Sequence, residues 1–198
     1  RLHPAGIHRV VLIGPAHRAV LRGLAAPESL TWETPLGEVL LDFQALEEAG
    51  SFPQVQSSEV AHRLEHSLEV QLPFLQTVLD DFRLVPLVAG EATKEEIAEV
   101  LDALWGGPET LILISSDLSH YQDYNTARRL DSATSHAIEQ LNPRAIDYQQ
   151  ACGRTPVNAL LLAARHHQLD ARTLDQRNSG DTAGGRDRVV GYGAYAFS

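Results

Sequence analysis

Short apolar runs alternate along this chain with stretches of helical period. Residues 8–14, HRVVLIG, are an apolar run stopped by Gly14-Pro15, which predicts a strand with an abrupt end. Residues 30–42 predict a β-turn-β pair around Thr34-Pro35-Leu36-Gly37, and residues 43–49 a short helix capped by Gly50. Residues 65–80 carry apolar side chains at 68, 72, 75, 78 and 79, the helical spacing, with a kink or break expected at Pro73. Residues 83–90 read as a strand whose Pro86 predicts an irregular or edge position. Thr93 and Glu96 form a capping box ahead of a helix with Ile97, Val100, Leu101 and Leu104 as its apolar stripe. The run at 110–115 reads as a strand buried on both faces. Helices are expected at about 123–140, 143–150 and 155–168, a polar glycine-rich loop at 176–188, and an alternating strand at 189–197.

Strands that alternate with helices predict an α/β three-layer domain, here a single domain over residues 1–198, and the hairpin makes the sheet mixed. In open α/β sheets, ligands gather at the carboxyl ends of strands. Two polar segments occupy that position: Gly14-Pro15-Ala16-His17 after the first strand, and Ser115-Ser116-Asp117-Leu118-Ser119-His120 after the strand at 110–115.

Composition narrows the function classes. Hydrophobic residues make up 43% of the 198 and charged residues 21%, as in ordinary globular proteins. The formal net charge of −10 argues against a nucleic-acid or anionic-membrane surface and fits a protein that handles a small molecule or a protein partner. The one cysteine, Cys152, permits no intrachain disulfide, and a lone thiol suits the cytoplasm. No apolar run is long enough to span a bilayer, and no signal peptide is visible.

The chemistry-bearing residues cluster in a few segments. His17 follows its strand by three residues, across a turn fixed by Gly14 and Pro15, or is simply a histidine in a surface loop. Asp117 and His120, spaced i, i+3 beyond a strand end, share a face if the segment turns helically. A carboxylate beside an imidazole fixes its tautomer and raises its basicity, as a general base or metal ligand requires. Ser116 or Asp117 could equally be a plain helix cap. Glu65, His66 and Glu69 lie in E-H-S-L-E, read as the start of the amphipathic helix, where acids also suit the helix dipole. Cys152 precedes a helix with Pro156 in its first turn. A helix N-terminus favours the thiolate, although most free cysteines are inert and buried. Arg154 beside it is a candidate anion contact. No nucleotide-binding glycine motif and no CxxC pair occurs.

In order and spacing, LIGPAHR (12–18), TPLGEVLLD (34–42), EHSLEVQLPFLQ (65–76), LVPLVAG (84–90), ILISSDLSHY (112–121), CGRTPV (152–157) and GYGAYAF (191–197) resemble the Memo-like family, also called AmmeMemoRadiSam system protein B. That family is similar in fold to the class III extradiol dioxygenases of the protocatechuate 4,5-dioxygenase type, which use non-haem Fe(II). The resemblance implies a His/Cys metal-binding cleft at strand ends. His17, Cys152 and His120 would be metal ligands, with Fe(II), Cu or Zn as the metal. His120 would be the acid/base beside Asp117, and Glu65, His66 and Arg154 would contact substrate. It implies either a metal-dependent redox enzyme or a non-catalytic module that binds a peptide or small anion in the same cleft, with AMMECR-type and radical-SAM proteins as partners. The family's further ligand histidine lies in an N-terminal H-A-G-Y segment. His3-Pro4-Ala5-Gly6 does not match it, so the resemblance reads this chain as N-terminally shortened.

Overall fold

The run at 8–14 becomes β1 (Arg9–Pro15), whose residues Val10 to Ile13 have no exposed surface. A fully apolar strand of this kind needs neighbours on both sides and cover on both faces. The computed structural model describes residues 6–182 and 184–198; His3 lies outside the described residues. The fold is α/β with a mixed sheet, and its contacts form two compact units, one through Ser115 and one from Ser116.

In the first unit, β1 is followed by β2 (Leu24–Ala26), the hairpin β3 (Thr31–Thr34) and β4 (Gly37–Leu40), α1 (Phe43–Gly50), β5 (Val55–Ser57), α2 (Glu59–Arg63), α3 (Leu72–Val78), β6 (Arg83–Ala89), α4 (Lys94–Ala103) and β7 (Thr110–Ile114). Five strands make one sheet in the order β5-β2-β6-β1-β7. β1 runs parallel to β6 and β7, pairing Val11 with Val85 and Ile112, and β2 pairs with β6 in the antiparallel sense. The two cluster-bearing strand ends of β1 and β7 therefore face the same way. The predicted hairpin forms, with Glu33 opposite Glu38. The Thr93–Glu96 capping box forms as well, and Ile97, Val100, Leu101 and Leu104 are all buried. Each such side chain contributes about 1.5–3 kcal/mol of burial energy.

Several expectations for this unit need correction. Of the two positions expected for Pro86 the irregular one holds: it lies in an interior strand, not at the sheet edge. β6 tolerates it because β2 reaches only Val88 and Ala89, and Leu41 bridges only at Leu84, so the strand lacks a neighbour beside Pro86 on that side. β7 is the edge strand, and Leu111 to Ile114 are half-buried rather than fully enclosed. Pro73 does not break a helix. It falls in the first turn of α3, where a missing N–H costs nothing, and residues 65–68 precede the helical region instead of starting it. Helix α1 is capped at its start by the Asp42 carboxylate. Gly50 is its last helical residue, and the cap falls on Ser51 in right-handed geometry.

The second unit contains β8 (His120–Gln122), α5 (Tyr124–Glu139), α6 (Arg154–His166), β9 (Ala171–Asn178) and β10 (Val189–Phe197). Its sheet has the order β8-β10-β9 and is antiparallel. Ala137, Ile138, Ile146, Ala151 and Leu161 form its core, joined by Tyr195 and Phe197. Residues 143–150 form turns where a helix was expected. The Asn142 side chain accepts the Arg144 N–H and the Asp147 side chain accepts the Gln149 N–H, local bonds that compete with helical ones. Part of the expected glycine-rich loop is instead the end of β9. Among the described residues, no helix is long and apolar enough to cross a membrane.

Candidate functional site

The end of β1 and the segment after α2 build the first polar cluster. Ser58 caps α2 by accepting the Ala61 N–H, and the chain leaves that helix at Leu64 into Glu65. The Glu65 side chain is 1% exposed, while that of His17 is 37% exposed. One Glu65 oxygen, Oε2, accepts the His17 backbone N–H at 2.5 Å. The other, Oε1, lies 3.0 Å from His17 Nδ1 and accepts the N–H groups of His66 and Ser67, both at 3.0 Å. The Ser67 hydroxyl donates to the Pro15 carbonyl, which ties the segment to the end of β1. Gly14 makes this approach possible: a Cβ there would come within 2.7 Å of Ser67 Oγ and 2.8 Å of Leu68. The His17 and His66 rings stack, with centroids 5.8 Å apart.

Burial pushes the Glu65 carboxyl up, but the hydrogen bonds from the His17 backbone and ring and from the Ser67 backbone overcome it. They hold the group at about 2, below the ordinary 4.5. Glu65 is therefore an anion at neutral pH. His17, Glu65 and His66 offer ligand atoms within 4.8 Å of one another. The Glu65 oxygens are already committed to four N–H donors, however, so its chemistry is that of an orienting group and the imidazoles are the available donors. A cavity of about 580 Å³ opens beside Glu65, bordered by Trp32, His62, Arg63 and Val70 among others.

The second cluster lies on the loop between β7 and β8 and the start of α6. Its backbone is fixed by Leu118 donating to the Gly191 carbonyl, by Gly191 donating to the Ser119 carbonyl, and by Ser119 donating to Asp131 Oδ1 at 3.0 Å. His120 enters β8 opposite Val190, and Tyr121 then adopts φ +58°, an uncommon left-handed conformation for a non-glycine residue. An irregular loop ahead of β8, and not a helical turn, brings Asp117 Oδ2 to 3.4 Å from His120 Nε2. The predicted helix cap at Ser116 or Asp117 does not form; Asp123 caps α5 instead. Cys152 Sγ accepts the Asp117 N–H at 3.3 Å, and Ser116 Oγ accepts the Gly153 N–H at 2.9 Å. Cys152 therefore stands just ahead of α6, as the sequence predicts. Asp117, His120 and Cys152 offer ligand atoms within 4.8 Å of one another, all half-buried. A thiolate, an imidazole and a carboxylate together form a donor set suited to Zn, Cu or Fe(II).

The sequence grouped His17 with His120 and Cys152. The structure brings His120 and Cys152 together with Asp117, and brings His17 together with Glu65 and His66. Arg154 is the first residue of α6 and is exposed. Sequence reasoning missed two buried residues. Asp131 is 1% exposed and holds the loop that carries His120. The signal was an acid on the buried face of α5, which also carries Ala127, Thr134 and Ile138. His62 had no sequence context. It is buried, with Nε2 at 3.0 Å from the Ala25 carbonyl and its ring edge-on to Trp32, and burial pushes its pKa down.

A model of the Memo-like protein family matches residues 2–196. The chain belongs to the Memo-like family. Its relatives include a MEMO1 family protein of Methanosarcina barkeri, 37% identical over 202 residues, which span 93% of this chain and 74% of that protein. A MEMO1 family protein of Saccharolobus solfataricus is 36% identical over 204 residues, 95% of this chain and 71% of the relative. One of Aeropyrum pernix is 38% identical over 203 residues, 93% of this chain and 70% of the relative. Among the described residues, the Memo-like chain thus carries two groups of potential metal ligands, one in each of its compact units.

Proposed function

We propose that this Memo-like protein binds a transition-metal ion and uses it in redox chemistry, with a fold of the class III extradiol dioxygenase type. Asp117, His120 and Cys152 supply one donor group, and His17, held by Glu65, is an imidazole donor of the other group. The observation that carries the reading is the convergence, within 4.8 Å, of a carboxylate and an imidazole from the segment after β7 with a thiol from the segment ahead of α6. A bound Fe(II), Cu or Zn ion would supply Lewis acidity there, and the first two also redox capacity. Within the protein, Asp117 orients the His120 imidazole, and His120 is the group that accepts or returns a proton. The Asp117 N–H donates to Cys152 Sγ and fixes where the sulfur that would ligate the metal stands.

A second reading is a non-catalytic module for a small or peptide ligand. The cavity of about 580 Å³ beside Glu65, with Trp32 in its wall, favours it. Elemental analysis of protein purified without chelator or added metal separates the two. The metal reading expects near-stoichiometric Fe, Cu or Zn in the wild type, sharply reduced in His120→Ala and Cys152→Ser. Absence of metal in all samples after anaerobic reconstitution with Fe(II) leaves the binding-module reading.

A further inference from the structure

We propose that Glu65 is a positioning residue that selects the Nδ1–H tautomer of His17 and so leaves Nε2 as the only lone pair on that ring. A neutral imidazole carries one N–H and one bare nitrogen, and its tautomer is set by what each nitrogen meets. Glu65 Oε1 stands 3.0 Å from His17 Nδ1. That carboxylate is an acceptor only, so the hydrogen must reside on Nδ1. The same carboxylate grips the His17 backbone N–H through its other oxygen. One anion thus holds both the main chain and the ring of one residue, which fixes where the ring stands relative to the end of β1.

The clamp is itself rigid. Oε1 also accepts the N–H groups of His66 and Ser67, and Ser67 Oγ bonds the Pro15 carbonyl two residues before His17. Gly14 leaves the space in which this loop of bonds closes. A carboxylate set behind a ligating histidine is a recurrent way to orient a donor and strengthen it, and its loss typically costs 10- to 100-fold in metal affinity. The role for Nε2 rests on the reading of His17 as a metal donor; the tautomer does not.

Long-range proton–nitrogen correlation spectra of metal-free, nitrogen-15-labelled protein read the tautomer directly, with His17→Gln assigning the ring. They are taken at about pH 8.5, well above the ordinary histidine pKa of about 6.5. The wild type should show His17 as Nδ1–H, against the Nε2–H preference of a free histidine side chain. Glu65→Ala should return it to Nε2–H. Glu65→Gln keeps an oxygen acceptor and should retain Nδ1–H in a larger fraction than Ala does. If the Ala variant fails to fold, the wild-type and Gln spectra still decide. A wild-type ring dominated by Nε2–H, or a tautomer unchanged in a folded Ala variant, overturns the assignment. Titration of the same samples with Zn²⁺ should show affinity about 10-fold weaker or more in Glu65→Ala. A wild type that shows Nδ1–H but takes up no Zn²⁺ supports the positioning role and overturns the metal reading.

Discussion

Glu65 and Asp131 are both buried carboxylates, each bonded to backbone beside a candidate histidine, yet their ionisation is driven in opposite directions. Glu65 meets the N–H groups of His17, His66 and Ser67 and the His17 ring, and is held at about 2. Asp131 accepts the Ser119 N–H, and burial wins: its carboxyl is pushed above the ordinary aspartate value of 3.8. Burial alone does not decide the charge of an acid; the number of donors aimed at it does. Glu65 is thus a stable anion that can orient a histidine. Asp131 is a strut for the loop that carries His120, and its charge is a cost.

The largest effect should come from removing the Glu65 anchor. Glu65→Ala strips the acceptor from three backbone N–H groups and should lower unfolding stability by about 3 kcal/mol, read by urea denaturation. A loss below about 1 kcal/mol would mean that water replaces the carboxylate freely and that the clamp is weak. Next in size is Gly191→Ala, because a Cβ there would run into the Asp131 carboxylate. It should cost about 1–3 kcal/mol. Asp131→Ala alone should also destabilise, by freeing the Ser119 N–H, but the double variant should be more stable than the sum of the two losses. Simple additivity would show that the strut and the strand do not meet.

The smallest effect sharpens the contrast through pH. Glu65 has a folded pKa below its ordinary 4.5, so its stabilisation is complete above that value and is lost as pH falls toward about 2. The wild type should therefore lead Glu65→Gln at neutral pH, and the lead should shrink in acid. Asp131 has the opposite sign. Its raised pKa makes the ionised form a penalty at neutral pH, relieved as pH falls through the folded value. Asp131→Asn should stay within about 1 kcal/mol of the wild type at neutral pH and lose ground relative to it in acid. Two curves of the same sign would remove the distinction between the carboxylates.

The contrast also explains what could be read from the sequence. Elements with local signals were legible: β1 from its apolar run, the hairpin from Thr34-Pro35-Leu36-Gly37, α4 from its capping box, and β10 from alternation. Pro73 was misplaced, because it opens α3 instead of interrupting a helix, whereas Pro86 does sit at an irregular position, without a neighbour on one side of β6. Asp117 and His120 do meet, but through an irregular loop rather than a helix, so the spacing argument reached a true proximity by the wrong geometry. Glu65 was visible as an acid beside a histidine, but its real partner, His17, lies 48 positions away in the chain. Asp131 was hidden because no motif marks a carboxylate that serves only backbone.

The most direct test of the metal account is a cobalt titration of the reduced, metal-free protein followed by ultraviolet–visible absorption, with Cys152→Ser beside it. The account predicts saturable Co²⁺ binding with a thiolate-to-metal charge-transfer band that disappears in the serine variant and weakens in His120→Ala. Co²⁺ uptake without that band, or a band indifferent to His120, would contradict the assignment of Asp117, His120 and Cys152 as one donor group.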